Sequence, residues 1–187
     1  MISRRLAALA AVPVLGFGLA ACQPNADPES CRGTIGAVTV EKVIVPQGAT
    51  CTLDGTRVQS DVLVKSDATL VARGATIGGN VQAENHREVR ISSSSTVGGS
   101  IQVKQGGPVS VRSTSVAGDI QYDANRGPLE AVGNRVNGSI QIVGNTGSNL
   151  VRDNRVGGNL QCKENSPAPT GGGNVVQGNK EDQCARL

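Results

Sequence analysis

The side chains that could take part in acid–base chemistry are few and scattered along this chain. The single histidine, His86, lies in a polar segment, residues 84–88. A nucleophilic triad needs a histidine held between a nucleophile and an acid, and one histidine in a polar turn does not indicate such an arrangement. Asp119, Asp123 and Glu130 lie within one short stretch. Because paired carboxylates cleave glycosidic bonds, this stretch is the candidate site for an activity on polysaccharides.

The start of the chain has the layout of a secretory signal peptide. Residues 3–5 are polar and basic, residues 6–19 are apolar and uncharged, and two alanines precede Cys22. The apolar stretch is too short for a permanent membrane-spanning helix. The arginine pair leaves general secretory and twin-arginine export both open.

The tetrapeptide Leu19-Ala20-Ala21-Cys22 resembles the lipobox of bacterial lipoproteins. In that family the cysteine is lipidated and becomes the first mature residue, so the resemblance implies lipidation at Cys22. We therefore expect a lipoprotein signal peptide at 1–21, a lipidated N-terminus and tether at 22–30, and a folded domain at 31–187. The domain would be exported and held on a membrane, facing the extracytoplasmic side. Whether this is a plasma or an outer membrane stays open.

A short pattern recurs every 19 or 20 residues. Most copies read apolar–x–Gly–polar–apolar–Gln–apolar, as in residues 77–83, 97–103 and 136–142. The seven copies begin at Val58, Ile77, Val97, Val116, Val136, Val156 and Val176. A fixed period of this size is typical of a solenoid, in which each repeat forms one coil.

The pattern within each copy is that of a β-strand. Its first, fifth and seventh positions are apolar and share one side of a strand, and a second apolar cluster, such as Val89 and Ile91, lies between copies. The sequence therefore predicts an all-β fold, a single-stranded parallel β-helix of about seven coils between Val38 and Val176, with a right-handed path. The glycine at the third position is expected where a Cβ would crowd the next coil.

Four cysteines besides Cys22 lie near the ends of the repeats; these are Cys31, Cys51, Cys162 and Cys184. An even number in an exported chain implies disulfides, and three pairings are possible. Cys31 and Cys51 are one coil apart, whereas a bond between the two groups would span the whole rod. We predict Cys31–Cys51 and Cys162–Cys184. Without a Cys-x-x-Cys pair or a Cys/His cluster, no metal site is predicted.

Amide side chains form columns in register with the repeat. Five glutamines occupy the same outward position in successive coils: Gln82, Gln102, Gln121, Gln141 and Gln161. Two asparagine series recur at steps of 20 residues, Asn125/Asn145/Asn165 and Asn134/Asn154/Asn174. The asparagines are expected at corners, where Asn tolerates a left-handed backbone. The columns either serve as hydrogen-bonded ladders of the fold or present a face to a partner. If one is a binding face, it is the glutamine row.

Composition narrows the range of partners. The net charge of +3 over 187 residues does not indicate a nucleic-acid groove. The chain has one Tyr, one Phe and no Trp, so it lacks the aromatic platforms on which sugars or bases stack. No cofactor is predicted.

The small glycine-punctuated coils resemble the bactofilin, or polymer-forming, repeat. That resemblance covers most of residues 31–187 and implies a right-handed β-helix and a capacity for self-assembly. We expect a non-catalytic, lipid-anchored cell-envelope protein that presents a rigid surface to a cell-wall polymer, an envelope protein or a second copy. The alternative is a small polysaccharide-active enzyme or polysaccharide binder.

Overall fold

The computed structural model describes residues 29–187. The predicted signal peptide and Cys22 lie outside these residues. Residues 29–187 contain no helix that is long and apolar enough to cross a membrane.

Three parallel β-sheets form the sides of a solenoid with a triangular cross-section. Each coil contributes one strand to each sheet, and each strand pairs with the strand one coil before and one coil after it. The three sheets hold nine, eight and eight strands, so the solenoid has about eight turns. At the usual strand spacing of about 4.8 Å it is about 38 Å long. The predicted fold class is confirmed, and the right-handed path stays a prediction.

Sheet A runs β1 Glu29–Ser30, β4 Val43–Val45, β7 Val62–Val64, β10 Val81–Glu84, β13 Ile101–Lys104, β16 Ile120–Asp123, β19 Ile140–Val143, β22 Leu160–Lys163 and β25 Lys180–Asp182. Sheet B runs β2 Gly33–Ile35, β5 Thr50–Asp54, β8 Thr69–Arg73, β11 Glu88–Ser92, β14 Val109–Arg112, β17 Leu129–Val132, β20 Asn149–Arg152 and β23 Thr170–Gly172. Sheet C runs β3 Thr39–Val40, β6 Arg57–Val58, β9 Thr76–Ile77, β12 Thr96–Val97, β15 Ser115–Val116, β18 Arg135–Val136, β21 Arg155–Val156 and β24 Val175–Val176.

The interior is a narrow column of aliphatic side chains. Alternate residues of each strand point inward, and residues such as Val81, Ile101 and Ile120 are fully buried. Tyr122 also lies inside, and its hydroxyl donates a hydrogen bond to the carbonyl oxygen of Glu130 at 2.9 Å. Burial of the ring raises the pKa of Tyr122 well above its usual range. β-Branched side chains fill this column because they pack well between stacked strands.

The corner between sheets C and A explains the glycine of the repeat. A Cβ on Gly99 would collide with the side chain of Asn80 and with the backbone of Gly79 in the preceding coil. Asn80 is held there because its Oδ1 accepts a hydrogen bond from the backbone N–H of Ser100 at 2.8 Å. Gly138 packs in the same way over Asp119. The glycine is required for close approach, as the sequence predicts.

Both ends of the solenoid carry a disulfide. The structure pairs Cys31 with Cys51 and Cys162 with Cys184, with Cα–Cα distances of 5.4 and 5.2 Å. These are the two predicted pairings. After β25 the chain makes a turn in which the N–H of Leu187 donates to the carbonyl of Cys184 at 3.1 Å, and Leu187 packs against the core.

The folded part begins slightly earlier than the sequence indicates. The sequence places Glu29 and Ser30 in the tether at 22–30, whereas in the structure they form β1 and pair with Val43 and Ile44. The strands of the first coil, β1 and β2, are mostly exposed and lack the alternating apolar residues of the later coils, so the repeat does not reveal it. This coil accounts for the additional turn beyond the roughly seven expected.

Candidate binding face

The five glutamines of the predicted face form one continuous row on the outside of sheet A. Each is the second residue of its strand, and the strands pair so that every glutamine lies beside the next. Gln82 Nε2 donates to Gln102 Oε1 at 3.2 Å, and Gln102 Nε2 donates to Gln121 Oε1 at 3.4 Å. The side chains point outward because the residues on either side of each glutamine are buried.

A second outward row runs beside the glutamines and carries charges of alternating sign. Its members in successive coils are Lys65, Glu84, Lys104 and Asp123, all exposed. Glu84 pairs in register with Lys104, and Lys104 with Asp123. Lys104 Nζ lies 3.4 Å from Glu84 Oε1. This row is not evident from the sequence because its residues differ in type, although they recur at the same steps as the glutamines.

These two rows line an open groove of about 630 Å³. Its floor includes Gln82, Gln102 and Gln121, and its charged edge includes Glu84 and Lys104. The groove offers amide donors and acceptors together with both signs of charge. It is suited to contact with a polar surface or an extended polymer.

The outer face of sheet C differs from that of sheet A. A smaller groove of about 360 Å³ is lined there by Thr76, Thr96, Ser115 and Arg135, among others. The strands are two residues long, so this face is narrow. Arg135 and Arg155 lie side by side in register.

The three carboxylates of the candidate polysaccharide site are not brought together. Asp119 lies at the corner between sheets C and A, and its Oδ1 accepts the N–H of Ser139 at 2.7 Å. Asp123 ends a strand of sheet A, and Glu130 lies on sheet B. The carboxylates therefore belong to three different parts of the surface, and the prediction that they form one acidic site is wrong.

Glu130 is instead part of an ion pair on sheet B. Its carboxylate lies 2.6 Å from Arg112 Nη2 and 2.7 Å from Ser110 Oγ. The Arg112 guanidinium, assisted by the Ser110 hydroxyl, holds the pKa of Glu130 below its usual range. A carboxylate held ionised in this way is poorly suited to donate a proton to a leaving group.

His86 is buried rather than displayed in a polar turn. Only 3% of it is exposed, and neither ring nitrogen has a hydrogen-bond partner. The ring occupies the space above Gly106, where a Cβ would collide with it. Desolvation lowers the pKa of His86, so the neutral form is favoured. Its position is that of a packing residue.

The asparagine columns are ladders inside the solenoid, and the expectation that these residues adopt left-handed corners is wrong. All six side chains are buried. The left-handed residue is instead the one before each asparagine, for example Ala124 at φ 51° and Gly144 at φ 63°. That turn aims the asparagine inward, where its amide bonds to the neighbouring coils.

Asn145 shows the geometry of these ladders. Its Oδ1 accepts the backbone N–H of Asn125 at 2.8 Å, and its Nδ2 donates to the carbonyl of Tyr122 at 3.0 Å. Its own N–H donates to Asn165 Oδ1 at 3.0 Å. The ladder ends on Gln183, whose Oε1 accepts the N–H of Asn165 at 3.0 Å. These amides satisfy backbone groups that a buried corner would otherwise leave unpaired.

Within residues 29–187 there is no group of three His, Cys, Asp or Glu side chains with the spacing of a metal site. No protein-family model, no curated protein and no solved structure matches the chain.

Proposed function

We propose that this protein is a lipid-anchored component of a bacterial cell envelope that uses the glutamine face of sheet A to bind or assemble with a partner, without catalysis. The observation that carries the proposal is the outward amide row and the groove beside it. The asparagine amides bond to the backbone of neighbouring coils, whereas the bonds of the glutamine row join Gln82 to Gln102 and Gln102 to Gln121. A buried ladder is needed for folding, whereas an exposed row remains available to a partner.

The membrane anchor is supported by the lipobox-like tetrapeptide before Cys22 and by two disulfides, which persist in oxidising compartments. A lipidated cysteine carrying two or more acyl chains binds stably to a membrane surface. Metabolic labelling with palmitate should label the wild-type chain and not the Cys22→Ser variant. If both proteins are labelled equally, the lipid is on another residue, and if neither is labelled, the chain is not lipidated.

The experiment for the binding face compares glutamine-to-alanine substitutions on two different sides of the rod. The full chain is immobilised and exposed to a cell-envelope extract. The double variant Gln102→Ala/Gln121→Ala removes the centre of the row, and Gln59→Ala removes an exposed glutamine that follows β6 on another side of the rod. Binding that is lost only in the double variant supports the glutamine face. Binding that is the same for all three proteins would exclude this face.

A cell-wall polysaccharide is the second candidate partner. The amides repeat once per coil, at about 4.8 Å, which suits an extended polymer lying along the rod. Purified cell-wall polysaccharide replaces the extract in the same experiment. Release of reducing sugar ends during the incubation would indicate an enzyme and contradict the non-catalytic role.

A further inference from the structure

We infer that the partner of sheet A is a second copy of this chain, lying antiparallel across the same face. The inference rests on the proposed role of sheet A as a binding face. It is carried by the order of charges in the row beside the glutamines, which from Pro46 to Val143 is complementary to its own reverse.

The charged row has four members in consecutive coils, flanked on each side by a neutral residue; beyond these, Lys163 follows Val143 in register and Arg32 lies next to Pro46. Glu84, Lys104, Asp123 and Val143 lie side by side through the register of β10, β13, β16 and β19. Lys65 directly follows Val64, which pairs with Ala83, so it lies beside Glu84. Pro46 precedes Lys65 by one coil in the same way. From Pro46 to Val143 the charges are zero, plus, minus, plus, minus, zero.

Two rods can pack with their sheet A faces opposed. A two-fold axis that lies between the faces, perpendicular to the rods and between the coils of Glu84 and Lys104, reverses the order of the row and keeps the two rows opposite each other. Lys65 then faces Asp123 of the second copy, and Glu84 faces Lys104 of the second copy. Both contacts occur twice, as in any isologous interface. At the two ends of the overlap the same operation brings Lys163 towards Arg32 of the second copy, and the charge of Lys163 is offset there by Glu164, which lies 3.7 Å from it. Rods placed parallel with the same rows facing would instead put every charge opposite its own like charge, which is unfavourable.

The rest of the face is compatible with this pairing. The same operation places Gln82 opposite Gln102 of the second copy, and an amide can donate or accept with either neighbour. Asp61 and Asp119 lie at the corner beside the glutamine row, and Glu181 pairs in register with the last glutamine of the row, outside the overlap. Asp61 and Asp119 each accept a backbone N–H from the next coil at 2.7 Å, so their carboxylates are directed along the rod axis.

The size of the face predicts a weak and reversible pair. The two copies overlap along eight of the nine strands of sheet A, each of two to four residues. That overlap covers on the order of 500 Å², which is less than the roughly 800 Å² per partner of a standard stable interface. Anchoring both copies to one membrane would raise their effective concentration and favour pairing. In solution, pairing should require high protein concentration and weaken with salt.

The test measures the dimerisation constant of the full chain by sedimentation equilibrium in a density-matched detergent, at low and high salt. The wild type should form dimers reversibly, more so at low salt. Lys65→Glu and Asp123→Lys should each weaken dimerisation about thirtyfold, since an attraction becomes a repulsion at two symmetric contacts. Arg155→Glu on sheet C is the matched control and should leave the constant unchanged.

The decisive measurement is recovery by charge exchange. The double variant Lys65→Glu/Asp123→Lys should dimerise like the wild type, and a mixture of the two single variants should form a heterodimer. Residues 65 and 123 are three coils apart, about 14 Å, so this recovery requires contact between copies. A monomeric wild type, or single variants that dimerise like the wild type, would overturn the inference. Glutamine-dependent capture of another envelope component in that case would leave the proposed function standing.

Discussion

Removing one buried asparagine should destabilise this protein far more than removing the outward-facing, half-buried glutamine of the same coil. The substitution Asn145→Ala deletes an acceptor for the N–H of Asn125 and a donor to the carbonyl of Tyr122. An unpaired polar group buried away from water costs about 1–3 kcal/mol. The N–H of Asn125 is left without its side-chain acceptor, and the shortened side chain leaves a small void. We expect a loss of about 3 kcal/mol, a large share of the roughly 5–15 kcal/mol that stabilises a typical domain.

The control is Gln141→Ala, which shortens an amide on the outer face of β19 in the same coil. Since that side chain points outward, the expected change is within about 0.5 kcal/mol. A third variant, Asn145→Asp, keeps the size and the acceptor but replaces the donor by a buried carboxylate. It should destabilise at least as much as the alanine variant if hydrogen bonding, rather than volume, is responsible.

Urea unfolding followed by circular dichroism, with both disulfides intact, gives the free energy of unfolding for each protein. With an m-value of about 2 kcal/mol/M, Asn145→Ala should lower the midpoint by about 1.5 M. If the free energies of unfolding of Asn145→Ala and Gln141→Ala agree within about 0.5 kcal/mol, the asparagine ladders contribute no more to stability than the glutamine row. The buried asparagines would then not be structural in a sense in which the outward glutamines are not.

Three other changes test the corners, the buried histidine and the ends. Gly99→Ala should destabilise by more than 2 kcal/mol because its Cβ would overlap the preceding coil, whereas Gly36→Ala, with open space around the added atom, should be nearly neutral in the same urea assay. Burial lowers the pKa of His86 from its ordinary 6.5. Below about pH 6.5 the unfolded chain therefore binds a proton more readily than the folded chain, and the free energy of unfolding should fall. If the dependence of that free energy on pH between 7.5 and 5.5 is unchanged in His86→Ala, this reasoning is wrong. The double variant Cys31→Ala/Cys51→Ala should lose about 3 kcal/mol, the value for a loop of this length, and reductant should lower the thermal midpoint of the wild type more than that of the variant.

The sequence predicts the fold well because the solenoid repeats one simple pattern. Alternating apolar positions define the strands, and a period of 19 or 20 residues defines the coil. The cysteine pairs follow directly, since residues about one coil apart lie on neighbouring rungs. Handedness is not encoded in that periodicity, and the first coil is not evident because β1 and β2 lack alternating buried apolar residues.

The inward position of the asparagine columns does not follow from the sequence alone. Asparagine and glutamine carry the same amide, and both recur once per coil, so polarity alone suggests the same outward position for each. What separates them is the backbone of the preceding residue, which is left-handed at Ala124, Gly144 and Glu164 alike. No residue type marks that conformation. Only the shorter side chain of asparagine, turned inward, is positioned to bond to the backbone of the coils on either side.

The division of polar side chains between interior and surface also argues for sheet A as the binding face. Sheet B carries strong charges, but Arg112 and Glu130 are already bonded to one another there, as are Arg90 and Glu88. Sheet C offers strands of only two residues. Sheet A has a broad face, and its charges lie in a line along the rod. Its close pairs, Glu84–Lys104 at 3.4 Å and Lys163–Glu164 at 3.7 Å, are both exposed. An exposed pair of this kind contributes little on its own, so its side chains can turn to an opposing surface at small cost.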